Sequence, residues 1–200
     1  MMRELIVASK NKGKLKEIKE ILAETPVKIL SMDEAGISID IEENGTTFEE
    51  NALIKAKAIF DMTEGIVLAD DSGLVVDCLD GAPGIYSARF SGENASDGDN
   101  INKLLKMMKD IPCEKRTARF VCAVAVILED GSYFTVKGNC EGVILDEPQG
   151  ENGFGYDPVF YVPEYEKTMA QLDENTKNSI SHRGNALKLF KESILKYLEV

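Results

Sequence analysis

Leu5-Ile6-Val7-Ala8 is a short apolar run, followed by the polar stretch Ser9 to Lys14 and then by Leu15, Ile18 and Leu22. The spacing of those three residues marks one face of a helix. Val27 to Leu30 reads as a second strand. Thr47-Phe48-Glu49-Glu50 has the spacing of a capping box and predicts a helix to about Asp61. Ile66 to Ala69 is apolar without interruption, the pattern of a buried strand. Beyond Asp70-Asp71-Ser72-Gly73 the chain reads as extended again over Leu74 to Leu79. Ser96 is placed to cap a helix carrying Ile101, Leu104, Leu105 and Met108. Arg116 to Leu128 predicts a long strand rich in Val and Ala. Glu129-Asp130-Gly131-Ser132 is hairpin-turn chemistry, and the chain returns along Tyr133 to Val143. Gly and Pro punctuate residues 148–163, and a last helix is predicted from about Ser181 to Leu198. Helices alternating with strands early and a hairpin late predict a mixed α/β sheet flanked by helices.

With 200 residues and 44% hydrophobic content, the chain is long enough for one ordinary domain with a real core. No repeat, low-complexity tract or linker divides it, so residues 1–200 are expected to form a single domain. A formal net charge of -12 and a pI near 4.6 argue against polymeric nucleic acid as a partner, because its phosphates demand an extended basic face. No apolar run approaches the roughly 20 residues of a membrane helix, and the LIVA stretch is too short for a signal-peptide core. Cys78, Cys113, Cys122 and Cys140 lack CxxC spacing and His182 is the only histidine, which argues against a zinc site. Free buried thiols in a reducing cytoplasm account for the cysteines most simply.

Against that acidic background, Lys10, Lys12 and Lys14 stand together where a strand feeds the start of a helix. Backbone N–H groups and the positive dipole end point at one place there, so a small anion such as phosphate is one reading and a solvated lysine loop the other. The loop is not a Walker A sequence: Leu15 follows Gly13-Lys14, and Ala8 occupies the first glycine position. Asp70 and Asp71 at the end of an apolar strand are hard oxygen donors suited to Mg²⁺, or else the acids of a turn. Asp40, Glu42 and Glu43 precede Asn44-Gly45 as a second acidic group, which on its own reads as a solvated turn. On the helix that follows, Asn51 and Lys55 share the face of Phe48, Ala52 and Ile59. A lysine there either reaches the rim or presents its ammonium to an anion. Gly153-Phe154-Gly155-Tyr156-Asp157-Pro158 offers two aromatics that could stack on a base or belong to the core. Ser181-His182-Arg183-Gly184 opens the last helix, either toward a ligand or as a plain capping segment.

Taken in order, ASKNKGK, EENGTTFEENALIKA, LADDSGLVVDCLDGAPGIYSARFSG, GFGYDPVF and KNSISHRGNAL resemble the inosine triphosphate pyrophosphatase family over nearly the whole chain. Where that family often has Thr-Gly-Asn in its first loop, this chain has Ser9-Lys10-Asn11, with a lysine in place of a flexible glycine. The resemblance implies an elongated mixed sheet of two lobes around a central cleft, usually as a homodimer. It also implies Mg²⁺-dependent hydrolysis of inosine, deoxyinosine and xanthosine triphosphates to monophosphate and pyrophosphate. By resemblance, the loop Ser9, Lys10, Asn11, Lys12, Gly13 and Lys14 grips the phosphates, joined by Lys55. Glu42 and Asp71 hold the metal, and Asp71 accepts the proton of the attacking water. Ser72, Phe154, Gly155, Tyr156, Asp157, Lys177, His182 and Arg183 line the nucleoside side, with Asp70 and Glu43 as supporting acids. Two rival readings fit the same residues: a pyrophosphatase for other modified or standard triphosphates, and a nucleotide-binding module without turnover. The paired acids and the inward lysine weigh against the second.

Overall fold

The structure is a computed structural model that describes residues 3–63 and 65–198. In chain order it runs β1 (Arg3–Val7), α1 (Lys12–Ile21), β2 (Val27–Ser31), α2 (Phe48–Phe60), β3 (Ile66–Val76), α3 (Asp97–Met107), β4 (Thr117–Ile127) and β5 (Tyr133–Ile144). It continues through β6 (Phe160–Val162), β7 (Lys167–Thr168), α4 (Glu174–Ile180) and α5 (His182–Leu198), with short 3-10 turns between several elements. The strands are hydrogen-bonded in the order β2-β1-β3-β4-β5-β6-β7. β1 runs parallel to both neighbours, with Leu5 opposite Ile29 on β2 and Ile66 on β3. β6 runs antiparallel to β5 and β7. The sheet is therefore mixed, as the sequence pattern predicts.

The chain forms two compact units: residues 1–71, 122–138 and 183–200 in the first, residues 72–121 and 139–182 in the second. In the first, the two-residue period of the strands sorts their side chains onto opposite faces. Leu5, Val7, Ile66, Leu68, Cys122, Val124 and Val126 pack with Ile18 and Leu22 of the α1 segment and with Ala186, Leu187, Phe190 and Ile194 of α5. The alternate residues, Ile6, Ala8, Val67, Ala69, Ala125 and Ile127, pack with Ala52, Ala56 and Ile59 of α2. In the second unit, Leu74, Val76, Ala118 and Phe120 form a core with Ile101, Leu104 and Met108 of the α3 segment and with Tyr156, Val159 and Phe160.

Several sequence expectations change here. Residues 70–73 form no turn; Ile66 to Val76 is one strand, and the chain leaves it through a 3-10 turn at Asp77–Leu79 rather than staying extended. Two acids can occupy a central strand because cations from the covering helices meet each of them. Gly13 lies inside the first turn of α1, not in the loop before it. α4, β6 and β7 are too short for periodicity to register. Of the cysteines expected to be buried, Cys113 is exposed and Cys78 half-buried, although all four are free thiols. The β4–β5 turn does form as its sequence predicts, with Gly131 at φ +81° and Asp130 accepting from the backbone and hydroxyl of Ser132.

Candidate active site

Asn11 caps α1, its side-chain oxygen accepting from the Lys14 amide at 3.0 Å, while Ser9 Oγ accepts from the Asn11 amide at 3.3 Å. This capping fixes the first turn, from which Lys14 Nζ reaches Asp70 at 3.2 Å. Lys12 is exposed, and Lys10 reaches Asp40 in an exposed ion pair. The lysine that replaces the family's glycine thus ties the first loop to the acidic segment instead of turning toward Asp70.

β3 divides its two adjacent acids between the faces of the sheet. Asp70 continues the Ile66–Leu68 side and is wholly buried among Lys14, the Arg183 guanidinium at 3.2–3.3 Å, and the Cys122 thiol at 3.9 Å. Arg183 is itself 1% exposed and also donates to buried Glu17 of α1. Burial alone would raise the Asp70 pKa, yet Lys14, Arg183 and Lys55 outweigh it and hold the carboxyl well below the ordinary range. Cys122 has the opposite balance: burial and the Asp70 charge push its thiol up to about 12, so it stays neutral.

Asp71 continues the Val67–Ala69 side and faces α2. It accepts from Asn51 Nδ2 at 3.2 Å and lies 3.5 Å from Lys55 Nζ, which also pairs with Glu43 at 3.1 Å. Asn51 is fully buried, and its oxygen accepts from the Gly45 amide at 2.8 Å. A Cβ on Gly45 would lie 2.7 Å from that oxygen and 3.0 Å from the Asn51 nitrogen, so glycine is what lets the acidic segment approach α2. Lys55 is therefore mostly buried and paired, with only a small part of its side chain open to solvent. Burial would lower its pKa, but Asp71, Asp70 and Glu43 raise it above the usual lysine value. Asp71 shifts upward as well: burial leads, Glu43 adds to it, and Lys55 with Lys14 only partly oppose. The two directions are compatible because one ammonium serves three carboxylates.

Glu42, the expected metal ligand of the acidic segment, is exposed, and its neighbour Glu43 is the residue placed on Lys55. Thr47 caps α2 through the Glu50 amide, but Glu50 turns to Thr46, so the capping box is only half formed. Among the described residues no group of three His, Cys, Asp or Glu comes together as an all-protein metal cage. Mg²⁺ takes one or two carboxylates and completes its shell with water and phosphate oxygens. Glu43 and Asp71, sharing one ammonium, fit that mode.

In the second unit, Asp157 is 4% exposed; it accepts from Lys177 Nζ at 2.8 Å and from the Phe154 amide at 3.0 Å. Lys177 lies over the half-buried Phe154 ring at 4.7 Å. His182 stacks on Phe120 at 4.8 Å, and Ser72 is half-buried on β3. Tyr156 departs from the expectation of a base-stacking aromatic. Its ring is buried in the core of its unit and its hydroxyl donates to the Ser87 carbonyl at 2.9 Å. Asn51, Glu17 and Gly45 have no expected role from the sequence pattern. Only Asn51 carried a signal, as a polar residue on an apolar helix face.

Lysines and carboxylates gathered behind a capped helix start, on a mixed α/β sheet, form the chemistry that a phosphorylated ligand requires. The chain belongs to the Ham1 family, whose model matches residues 5–193. It is 49% identical over 195 residues to a Bacillus cereus protein named dITP/XTP pyrophosphatase, covering 96% of this chain and 95% of the relative. A Geobacter sulfurreducens protein of the same name is 52% identical over 193 residues, covering 96% and 97%. Among solved structures, the Staphylococcus aureus Ham1 protein superposes with a TM-score of 0.87 at 44% identity, covering 98% of this chain and all of that one. A HAM1 protein from Coxiella burnetii gives 0.89 at 42% identity with the same coverage. The family resemblance read from the sequence is thereby established.

Proposed function

We propose that this chain is a nucleoside-triphosphate pyrophosphatase. It hydrolyses the non-standard purine triphosphates dITP, ITP and XTP to monophosphate and pyrophosphate, and so clears deaminated purines from the nucleotide pool. Residues 1–200 act as one functional domain, as a homodimer in the cytoplasm. The relatives' names support the substrate class, and the resemblance supports the assembly and the compartment. The observation that carries the chemistry is the placement of Asp71, a buried carboxylate of raised pKa, beside Lys55 and Glu43.

In this reading water attacks the α-phosphorus, its proton passes to Asp71, and pyrophosphate departs. Lys14 and Lys55 bind the phosphates and neutralise charge that grows on the leaving group, with the loop Ser9 to Gly13 supporting them through helix-end amides. Asn51 fixes the orientation of the Asp71 carboxylate. Asp71 together with Glu43 or Glu42 would hold Mg²⁺, which would supply charge neutralisation and acidify water. Ser72, Phe154 to Asp157, Lys177, His182 and Arg183 are assigned to the nucleoside. Tyr156 contributes there through its backbone, because its ring is in the core.

Selectivity rests on backbone N–H donors beside Arg183, whose guanidinium is buried against Asp70 and Glu17 and holds that segment in place. The donors match a 6-oxo group and face an amine in ATP, and such mismatches reject substrates by ~10⁴–10⁵-fold. Arg183→Ala tests this through the ratio of ITP to ATP turnover rather than the rate, since the variant also uncovers Asp70 and Glu17. The ratio is expected to fall, and an unchanged ratio places discrimination elsewhere. For the function itself, ITP, XTP, dUTP, GTP and ATP are incubated with Mg²⁺ and the products identified. Monophosphate and pyrophosphate from ITP and XTP alone are expected. Orthophosphate, indifference to the base, or no product would each overturn the reading.

A further inference from the structure

The first turn of α3 contains an acid that its own helix does not use for capping. Ser96 and Asp99 complete the cap between them: the Ser96 amide donates to Asp99 Oδ2 at 2.9 Å, and the Asp99 amide donates to Ser96 Oγ at 3.2 Å. Asp97, next to the cap, instead sends its carboxylate across 58 positions of sequence to accept from the Gly155 amide at 2.7 Å. That is the length of a charge-assisted hydrogen bond.

The recipient loop is the one that carries Phe154. Its backbone is built from residues in the left-handed region, Gly153 at φ +80° and Gly155 at φ +61°, and glycine resists that conformation least but also holds it least firmly. Two carboxylates supply the rigidity. Asp157, from within the loop, takes the Phe154 amide, and Asp97, from outside it, takes the next amide. The backbone on both sides of the Phe154 side chain is thereby fixed, with the ring beneath Lys177. Asp157 is itself neutralised by Lys177, whereas Asp97 is an exposed carboxylate held in place by its helix. A Cβ at Gly153 would lie 2.1 Å from Asp157 Oδ2, so the loop closes on that acid too tightly for any other residue.

We infer that Asp97 is a positioning residue for nucleoside binding: it pre-orders the Phe154–Gly155 peptide so that the loop meets its ligand without first being organised. The inference rests on the proposed assignment of Phe154 to the nucleoside.

The test compares Asp97→Ala with Asp97→Asn, whose side-chain oxygen still accepts from the Gly155 amide. With ITP as substrate, Asp97→Ala is expected to raise KM about tenfold, the cost of one hydrogen bond to a charged group, while kcat stays within about twofold. Asp97→Asn should recover most of that loss. Amide hydrogen exchange at Gly155, read without any nucleotide, should accelerate in Asp97→Ala and stay near the parent rate in Asp97→Asn. An unchanged KM in Asp97→Ala, or equal losses in both variants, would overturn the inference. Faster exchange with no shift in KM would show an anchor of the fold alone and overturn it as well. If the parent chain leaves ITP intact, the functional reading fails, and KM for whichever triphosphate it does cleave, read beside the exchange, judges Asp97.

Discussion

Asp70 and Asp71 are covalent neighbours on one strand, yet they occupy different electrostatic worlds. Asp70 faces α1 and α5, where two cations, Lys14 and Arg183, close on it and overcome the penalty of burial. Asp71 faces α2, where one ammonium is divided among several carboxylates and burial prevails. The strand's two-residue period makes the division, and the covering helices decide what each face offers. A carboxylate surrounded by fixed counter-charges is a structural anchor. One held short of full neutralisation has affinity left for a proton or a cation, which hydrolysis needs.

The widest separation between the two faces should appear in turnover. Asp71→Asn is expected to cut ITP hydrolysis by ~10²–10⁴-fold, the usual contribution of a positioned base, while keeping or raising the unfolding midpoint, since a charge that burial disfavours is removed. Initial rates and thermal denaturation on the same preparation check both halves.

Stability should show the next largest effect, in the opposite order. Asp70→Asn leaves Arg183 and Lys14 without their shared carboxylate and is expected to cost about 3–5 kcal/mol, the penalty for breaking a buried pair, measured by denaturant unfolding. The pH dependence follows from the same shift. Unfolded Asp70 takes up a proton near pH 3.9 while folded Asp70 remains ionised, so its contribution is complete above that value and is lost as pH falls toward the folded pKa. Between about pH 4 and the folded pKa, the parent should lose stability more steeply than Asp70→Asn when both are unfolded by denaturant without added metal. Parallel curves would show that Asp70 is not the group responsible.

Gly45→Ala probes the Asp71 face at one remove. The new methyl meets the Asn51 oxygen and backbone, and overpacking of this kind costs about 1–3 kcal/mol. Because Asn51 orients Asp71, kcat should fall more than binding weakens. The smallest effect belongs to the first loop: Lys10→Ala breaks only an exposed pair with Asp40, so neither unfolding midpoint nor KM should move resolvably, whereas Lys14→Ala should raise KM sharply.

Much of this frame was legible in the residues themselves. The strand–loop–helix start at Ser9 to Lys14, the α2 face bearing Asn51 and Lys55, and the β4–β5 hairpin all follow from local spacing. The division at β3 was not, because Asp-Asp-Ser-Gly is turn chemistry when read locally. What keeps it extended comes from far away: Arg183 lies 113 residues from Asp70 and 166 from Glu17. Local reading likewise could not separate Glu42 from Glu43, since an irregular segment gives no period by which to orient them. Tyr156 looked available for a base for the same reason; its burial depends on Ser87 and a core assembled 69 residues away in sequence.

Carbon-detected NMR titration of the two carboxyl groups in the metal-free protein tests the division on β3 most directly. Asp71 should titrate above the ordinary aspartate value and Asp70 well below it. Two carboxyls that shift together in either direction would contradict the account.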